Sequence, residues 1–301
     1  MAGSARPRRQ WTAPVVVGGR RARAVRTPPD PAAVSTRLGF ALLERAAPEV
    51  GARWAERLWS APPREADAGA APGAVTGPGV PFVLNAGGFA VTGEAWGEGP
   101  AVHLVPGLGG DRDDLAAFVA PIVDRGHRVV AFDARFPSVP ALSRALAAVV
   151  EGYGTPHAVV AHATGATAAA AALGDGVRLG RLAMLAPVPG LVSHARRFAA
   201  RLGAGDRIAA GLLARLAERA GVPLGELDVP AMCGLVVTPP TLVVHDRDDA
   251  DVPVTEAARI ATSWPGSRLT VTAGRGHRGV LRDPWVVGQV LDFVTTPDPR
   301  R

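Results

Sequence analysis

The middle and C-terminal parts of the chain alternate short apolar runs with longer segments rich in Ala and Leu. Each apolar run is four or five residues long, which suits a strand, and all but one are followed within a few residues by a helical pattern. Such alternation is typical of a parallel sheet with helices on both faces. The predicted strands are Val102–Val105, Arg128–Phe132, Ala158–Ala161, Leu182–Leu185, Thr241–Val244 and Leu269–Thr272.

Three other patterns precede this alternation. Residues 80–97 alternate apolar and polar positions around Asn85-Ala86-Gly87-Gly88, which predicts a β-hairpin. Residues 61–79 are rich in Ala, Pro and Gly and predict a linker. Residues 31–60 carry apolar side chains at helical spacing, which predicts two helices. The apolar positions are Val34, Leu38, Leu42 and Leu43 in the first helix and Val50, Trp54, Leu58 and Trp59 in the second.

One predicted strand, Leu182–Leu185, is followed by an unusually long helical stretch. About fifty helix-rich residues, 188–238, separate it from the next predicted strand. An insertion at the C-terminal end of a strand lies above the edge where parallel sheets bind ligands. We therefore expect residues 188–238 to form a helical lid, with Arg196, Arg197 and Arg201 on a solvated helix face.

The composition is that of a chain with a packed core, at 48% hydrophobic and 20% charged residues. The single cysteine, Cys233, excludes an internal disulfide and a cysteine-built zinc site. The chain has no run of 18 or more apolar residues, so we expect no spanning helix and a cytoplasmic location. The expected organisation is a tail over 1–29, a helical segment and linker over 30–79, and one domain over 80–301 that contains the lid.

The basic residues, all 33 of which are arginine, are unevenly distributed. Seven lie before Asp30, where no acidic residue occurs, so the remaining chain is close to neutral. A basic segment can bind phosphate groups of nucleic acid or of an anionic membrane. This one has no amphipathic period and no aromatic residue except Trp11, which favours a disordered arm over a nucleic-acid site. An adaptor that binds anionic partners through this Arg-rich tail stays an alternative function of the protein. The seven are Arg6, Arg8, Arg9, Arg20, Arg21, Arg23 and Arg26.

Four loops that follow predicted strands carry the residues suited to chemistry. The Gly-rich loop 106–110 can point backbone N–H groups at a developing oxyanion. The turn 161–165 has small residues two places either side of Ala163, as a sharp strand-to-helix turn requires. Loop 245–253 is rich in Asp, and loop 274–278 contains His277. An Asp on one loop can hold the imidazole of a His on another and stabilise its charged form.

In this order the four loops resemble the oxyanion loop, nucleophile elbow, acid and histidine of the α/β-hydrolase superfamily, over about residues 80–297. The later loops are similar to those of actinobacterial-type lipase- and esterase-like hydrolases. The resemblance implies an α/β-hydrolase fold, ester-type hydrolysis and no cofactor. It makes Asp249 the acid and His277 the base. It also makes the backbone N–H groups of Leu108 and Thr164 the oxyanion donors.

At the apex of the elbow the sequence departs from the family. The family motif is Gly-x-Ser-x-Gly, whereas the apex here is Ala163, whose methyl group cannot attack a carbonyl. None of the eight serines lies on a Gly-flanked strand-to-helix turn, so we expect a vacated nucleophile position. The side chain of Thr164 is expected to point away from the apex and to cap the start of the following helix.

The other polar residues near these loops are expected to be structural. Asp248 and Asp251 suit turn or surface positions, His162 a packed or hydrogen-bonded position, and His103 a hydrogen-bonded position in the core. The remaining histidines lack the spacing of a metal site, so we expect no metal. They are His127, His157, His194 and His245.

Two functions follow from the resemblance and from its missing nucleophile. The first is a pseudoenzyme whose pocket binds a small acyl or ester-like ligand. The second is a hydrolase in which His277, oriented by Asp249, activates a water in the space left by the serine oxygen. Enzymes without one triad member retain about 10³- to 10⁴-fold over the uncatalysed rate. The sequence leaves the ligand and the oligomeric state open.

Overall fold

The computed structural model describes residues 15–16, 31–60 and 77–297 of the 301-residue chain. Within these ranges nine strands form one sheet. The strands are β1 (Val15–Val16), β2 (Val80–Ala86), β3 (Phe89–Trp96), β4 (Ala101–Val105), β5 (Arg128–Phe132), β6 (Ala158–His162), β7 (Leu182–Leu185), β8 (Thr241–Asp246) and β9 (Ser267–Thr272).

The strand order across the sheet is β1-β9-β8-β7-β6-β4-β5-β3-β2. Strand β3 pairs antiparallel with β2 and β5, and all other pairs are parallel. The six strands and the hairpin expected from the sequence are confirmed, with ends that differ by at most two residues. At the hairpin turn, Gly87 and Gly88 have φ of +61° and +94°, the left-handed values that a two-residue turn between twisted strands requires.

Eleven α-helices lie in the described ranges, together with 3-10 helices at Arg112–Phe118 and Leu224–Leu227. The α-helices are α1 (Pro31–Ala46), α2 (Pro48–Trp59), α3 (Val119–Val123), α4 (Val139–Tyr153), α5 (Thr164–Gly174), α6 (Leu191–Arg201), α7 (Asp206–Ala220), α8 (Val229–Met232), α9 (Val254–Ser263), α10 (Gly276–Gly279) and α11 (Pro284–Val294). None is long and apolar enough to cross a membrane.

The central strands are buried from end to end. Every residue of β6, β7 and β8 is buried, because helices cover both faces of the sheet. The buried side chains form two clusters, one of which contains Phe132 and Ala161 and the other Leu104 and Val160. Side chains of consecutive residues along a strand thus belong to opposite clusters. The C-terminal ends of the parallel strands β4, β6, β8 and β9 lie at the same edge of the sheet, with β7 between β6 and β8, and carry the four loops singled out above.

The N-terminal helices pack against the helical insertion, residues 188–238. Glu56 of α2 is buried between Arg215 and Arg219 of α7, with which it forms ion pairs. The carboxylate of Glu44 accepts hydrogen bonds from three backbone N–H groups at the start of α7. Because those groups have no partner within their own helix, Glu44 caps α7 from a distant part of the sequence. The helices α1 and α2 therefore extend the helical layer formed by the insertion.

The two predicted helices in 31–60 are present, but the apolar stripe of the first faces outward. Val34, Leu38 and Leu42 are exposed, whereas Phe40 is buried and stacks on Trp54 with ring centroids 4.4 Å apart. Helical spacing predicts a helix correctly and does not tell which face meets the core.

The structure departs from the predicted disordered arm at Val15–Val16, which pair in parallel with β9. Without β1, strand β9 would leave the backbone groups of its outer edge unpaired, and two β-branched residues suit that position. The rest of the arm, and most of the predicted linker 61–79, lie outside the described residues, so those predictions stay predictions.

His103 of β4 differs from its expected hydrogen-bonded state. It is fully buried, and neither ring nitrogen has a hydrogen-bond partner. Its register partners on the two neighbouring strands, Val130 and Val159, are apolar and the strand backbones are used in the ladder. Burial lowers the pKa of His103 from 6.5 to about 4, because the charged imidazolium is poorly solvated there.

We expect the substitution His103→Leu to stabilise the protein more at pH 5 than at pH 7. Below pH 6.5 the unfolded chain binds a proton at His103, whereas the folded chain does not until about pH 4. This group therefore lowers the free energy of unfolding as the pH falls through that window. Between pH 7 and pH 5 the advantage of the variant should grow by about 2 kcal/mol. Urea unfolding at both pH values measures it, and an equal effect at both would contradict the account.

Candidate active site

The turn between β6 and α5 has the backbone geometry of a sharp elbow. Ala163 lies at its apex with φ +50° and ψ −120°, a combination that costs a non-glycine residue about 1–3 kcal/mol. Hydrogen bonds from the Ala163 N–H to Leu185 and from Val188 N–H to the Ala163 carbonyl hold the strained residue in place. A Cβ at Gly165 would lie 2.5 Å and 2.6 Å from the carbonyl oxygens of Val105 and Pro106, so only glycine fits there.

Asp249 and His277 lie within hydrogen-bonding distance of each other. The loop after β8 carries Asp249 and the loop after β9 leads to His277, whose Nδ1 is 2.8 Å from Asp249 Oδ2. The carboxylate is fully buried and the imidazole side chain is 15% exposed. In the described part of the chain, no hydroxyl group makes a hydrogen bond to the His277 ring.

The Asp249 carboxylate is stabilised by four groups. Its Oδ1 accepts hydrogen bonds from the backbone N–H of Asp251 and of Val252, at 2.8 Å and 2.9 Å. Its Oδ2 faces His277 and, at 3.4 Å, the Nε2 of His245. Burial alone would raise the pKa of Asp249, but these hydrogen bonds and the neighbouring imidazoles lower it overall. The carboxylate is thus held ionised and fixed in orientation.

Two further aspartates hold the loop that carries His277. Asp246 accepts hydrogen bonds from the Thr272 hydroxyl at 2.7 Å and the Arg275 N–H at 3.2 Å, and Asp248 accepts one from the Gly274 N–H at 2.8 Å. The sequence pattern predicts only a turn or surface position for Asp248 and assigns no role to Asp246. The signal for Asp246 was its place at the C-terminal end of a buried strand, where side chains face the loops.

Two other histidines face His277. The rings of His162 and His277 have centroids 4.9 Å apart and are tilted by 48°. His162 is 3% exposed and its Nε2 has no hydrogen-bond partner. His194 of α6 has an unpartnered Nδ1, and its ring meets Trp59 edge to face at 5.2 Å. Burial, with the charge of His277, lowers the pKa of His162 well below its ordinary value and that of His194 to about 3. Both imidazoles are therefore neutral at pH 7.

The Gly-rich loop 106–110 packs directly against the elbow. A Cβ at Gly107 would lie 3.2 Å from the Ala163 methyl and 3.5 Å from Thr164 Oγ1. The next N–H group in the loop, that of Leu108, donates a hydrogen bond of 2.8 Å to Thr164 Oγ1. The expected helix cap is therefore not made: α5 has no side-chain cap, and Thr164 is its first residue rather than its N-cap. Being first in the helix, the Thr164 N–H has no acceptor within α5.

Ion pairs connect the insertion to α9 and to loop 245–253, which carries Asp249 and is called the acid loop below. Arg201 of α6 lies 2.9 Å from Asp251, two residues beyond Asp249, and Arg197 lies 2.8 Å from Glu256. Arg259 joins Glu256 to Asp228, at 2.7 Å and 3.0 Å. Of the three arginines expected on a solvated face, Arg196 and Arg201 are exposed and Arg197 is half-buried; Arg197 and Arg201 also form ion pairs within the protein. Asp251, expected only in a turn or at the surface, takes part in the same contacts.

Three residues of the site present ligand atoms close enough for one cation. Oxygen atoms of Asp249 and Asp251 and a nitrogen of His277 lie within 4.8 Å of one another. Asp249 and His277 are hydrogen-bonded to each other, and Asp251 is paired with Arg201. These donors are therefore already used within the protein, and the set does not change the expectation of a metal-free site.

The chain is similar to known proteins in its structure only. No protein-family model and no curated protein sequence matches the chain. An esterase from Exiguobacterium antarcticum is 14% identical, with a TM-score of 0.56 over 71% of this chain and 99% of its own. A thermophilic esterase from Thermogutta terrifontis is 21% identical, with a TM-score of 0.54 over 73% and 100%. A bromoperoxidase from Bacillus anthracis is 15% identical, with a TM-score of 0.55 over 71% and 99%. The chain has the α/β-hydrolase fold.

The contacts of Gly165 lead to a prediction for which Gly174, in the same helix, provides the control. Gly165→Ala should destabilise the protein by about 3 kcal/mol or more, since its Cβ would collide with backbone oxygens that cannot move without distorting β4. Gly174→Ala, at the other end of α5, meets only Val236 at 3.9 Å and should be neutral or stabilising by up to about 1 kcal/mol. Urea unfolding of both variants tests this, and equal stabilities would refute the packing of the elbow on β4.

Proposed function

We propose that this α/β-hydrolase-fold protein is catalytically degenerate and binds a small acyl or ester-like ligand without hydrolysing it. The observation that carries the proposal is Ala163, a residue without a nucleophilic atom at the strained apex between β6 and α5. The orienting pair Asp249–His277 stands next to this turn, because the ring of His277 lies against that of His162, the residue before the apex. With no side-chain oxygen to deprotonate, this pair has no covalent step to assist.

The insertion supports the role of a lid over this site. Its helix α6 brings His194 towards His277 and reaches the acid loop through the ion pair between Arg201 and Asp251. Trp59 of α2 packs against His194, so the N-terminal helices complete the covering layer. The buried, neutral imidazoles of His162 and His194 favour an uncharged ligand, because transfer of a charged group from water to their surroundings would be costly.

The class of ligand rests on the structural neighbours. Two of those named above are esterases, which favours an acyl or ester group for the pocket. The bromoperoxidase has an equally similar fold, so the fold does not determine the reaction.

The Asp249–His277 hydrogen bond of 2.8 Å favours one alternative function. An imidazole held in this way can remove a proton from a water molecule, and that water would stand where the serine oxygen is missing. The protein would then be a slow hydrolase whose activity depends on His277.

The experiment compares binding, labelling and hydrolysis in one protein. Wild-type protein is titrated calorimetrically with p-nitrophenyl butyrate, its release of p-nitrophenol is followed, and it is treated with a fluorophosphonate probe for reactive serines. We expect binding, no label, and a release rate equal to that of His277→Ala. Labelling of a serine would overturn the proposal. A wild-type rate about tenfold or more above that of His277→Ala would replace it with the water mechanism.

A further inference from the structure

The hydrogen bond between Leu108 and Thr164 uses a group that the fold normally offers to a substrate. In the arrangement that the sequence resembles, the Leu108 N–H points at the oxygen of a bound carbonyl. Here it donates to Thr164 Oγ1 at 2.8 Å, a typical length for a made hydrogen bond. The acceptor oxygen belongs to the residue that directly follows the vacated apex. The acceptor residue Thr164 is 7% exposed and Leu108 is half-buried.

The donor is fixed by its own loop and does not need Thr164 to hold it. The Gly109 N–H donates to the Ala134 carbonyl, the Ala134 N–H to the Gly110 carbonyl, and the Gly110 N–H to the Gly107 carbonyl, at 3.0, 3.0 and 2.9 Å. Two of these bonds join Gly109 and Gly110 to the chain after β5, and the third closes the loop across Leu108. Removal of the Thr164 hydroxyl should therefore leave the Leu108 N–H in position, with no acceptor.

We infer that the Thr164 hydroxyl is an internal occupant of the oxyanion site and closes that site to the carbonyl oxygen of a ligand. The inference rests on the proposed function for the identity of the pocket. It adds a second change to the loss of the nucleophile: one of the two oxyanion donors is taken by the protein itself. Thr164 is then the residue that decides whether a carbonyl is recognised here.

This assignment predicts how the ligand is selected. With the Leu108 N–H occupied, the pocket gains little from a carbonyl oxygen, so an ester and the matching ether should bind with similar affinity. A pocket with a free donor would favour the ester, because the ether has no carbonyl acceptor. Within the proposed class of acyl and ester-like ligands, affinity should accordingly depend on apolar shape more than on the acyl oxygen.

The first test restores the nucleophile. Ala163→Ser alone should hydrolyse p-nitrophenyl butyrate only weakly, since one oxyanion donor is occupied. Ala163→Ser with Thr164→Val removes the hydroxyl at nearly constant shape and should raise kcat by about 10²-fold with little change in KM, the effect of one oxyanion donor. Ala163→Ser with Thr164→Ser keeps a hydroxyl and should stay near the lower rate. Equal kcat in the first two proteins, with both folded by circular dichroism, would overturn the inference.

The second test needs no new nucleophile and uses Thr164→Val in the otherwise unchanged chain. Calorimetry compares p-nitrophenyl butyrate with p-nitrophenyl butyl ether. Wild type should bind both within about twofold, and Thr164→Val should prefer the ester by about fivefold or more, the value of one neutral hydrogen bond. An ester preference already present in wild type would refute the occupied site. If wild type binds neither compound, the proposed function fails, and the kcat comparison still decides the role of Thr164.

Discussion

The close approach of the β6–α5 turn to the end of β4 is the constraint on which the candidate site depends. The backbone of Gly165 passes so near the carbonyls of Val105 and Pro106 that no side chain fits between them. Ala163 is thereby forced into a left-handed conformation at the tip, with Gly107 of the neighbouring loop against its methyl group. The same contact places Thr164 Oγ1 at the Leu108 N–H. The turn at Ala163, the loop 106–110 and the Leu108–Thr164 hydrogen bond thus meet in one piece of packing.

The Asp249–His277 pair has a structural role that does not require catalysis. A buried carboxylate is costly unless it is fully hydrogen-bonded, and Asp249 is bonded by two backbone N–H groups and an imidazole. Through this carboxylate the acid loop meets the loop of His277, and Asp251 in the same loop meets Arg201 of the insertion. Loss of the nucleophile would leave these contacts intact. The pair is therefore weak support for catalysis, since its contacts also hold the two loops together.

The sequence predicted the parts of this structure that depend on local pattern. Apolar runs such as Ala158–His162 identify buried strands, and small residues around Ala163 identify a sharp turn. Loop order along the chain was enough to expect Asp249 and His277 near each other. Partners that depend on tertiary packing were not predictable from the sequence. It does not show that the exposed Arg201 pairs with Asp251, nor that Thr164 accepts a hydrogen bond from Leu108 instead of capping α5.

The vacated apex and the occupied donor are physically consistent with each other. An N–H group in a largely enclosed pocket costs about 1–3 kcal/mol when nothing accepts its hydrogen bond. A hydrolase tolerates such an unpartnered donor because the donor stabilises the transition state once substrate is bound. Under the proposed function no such state forms at Ala163, so an unpartnered Leu108 N–H would lower stability without a catalytic benefit. The Thr164 hydroxyl accepts this hydrogen bond and so removes that cost.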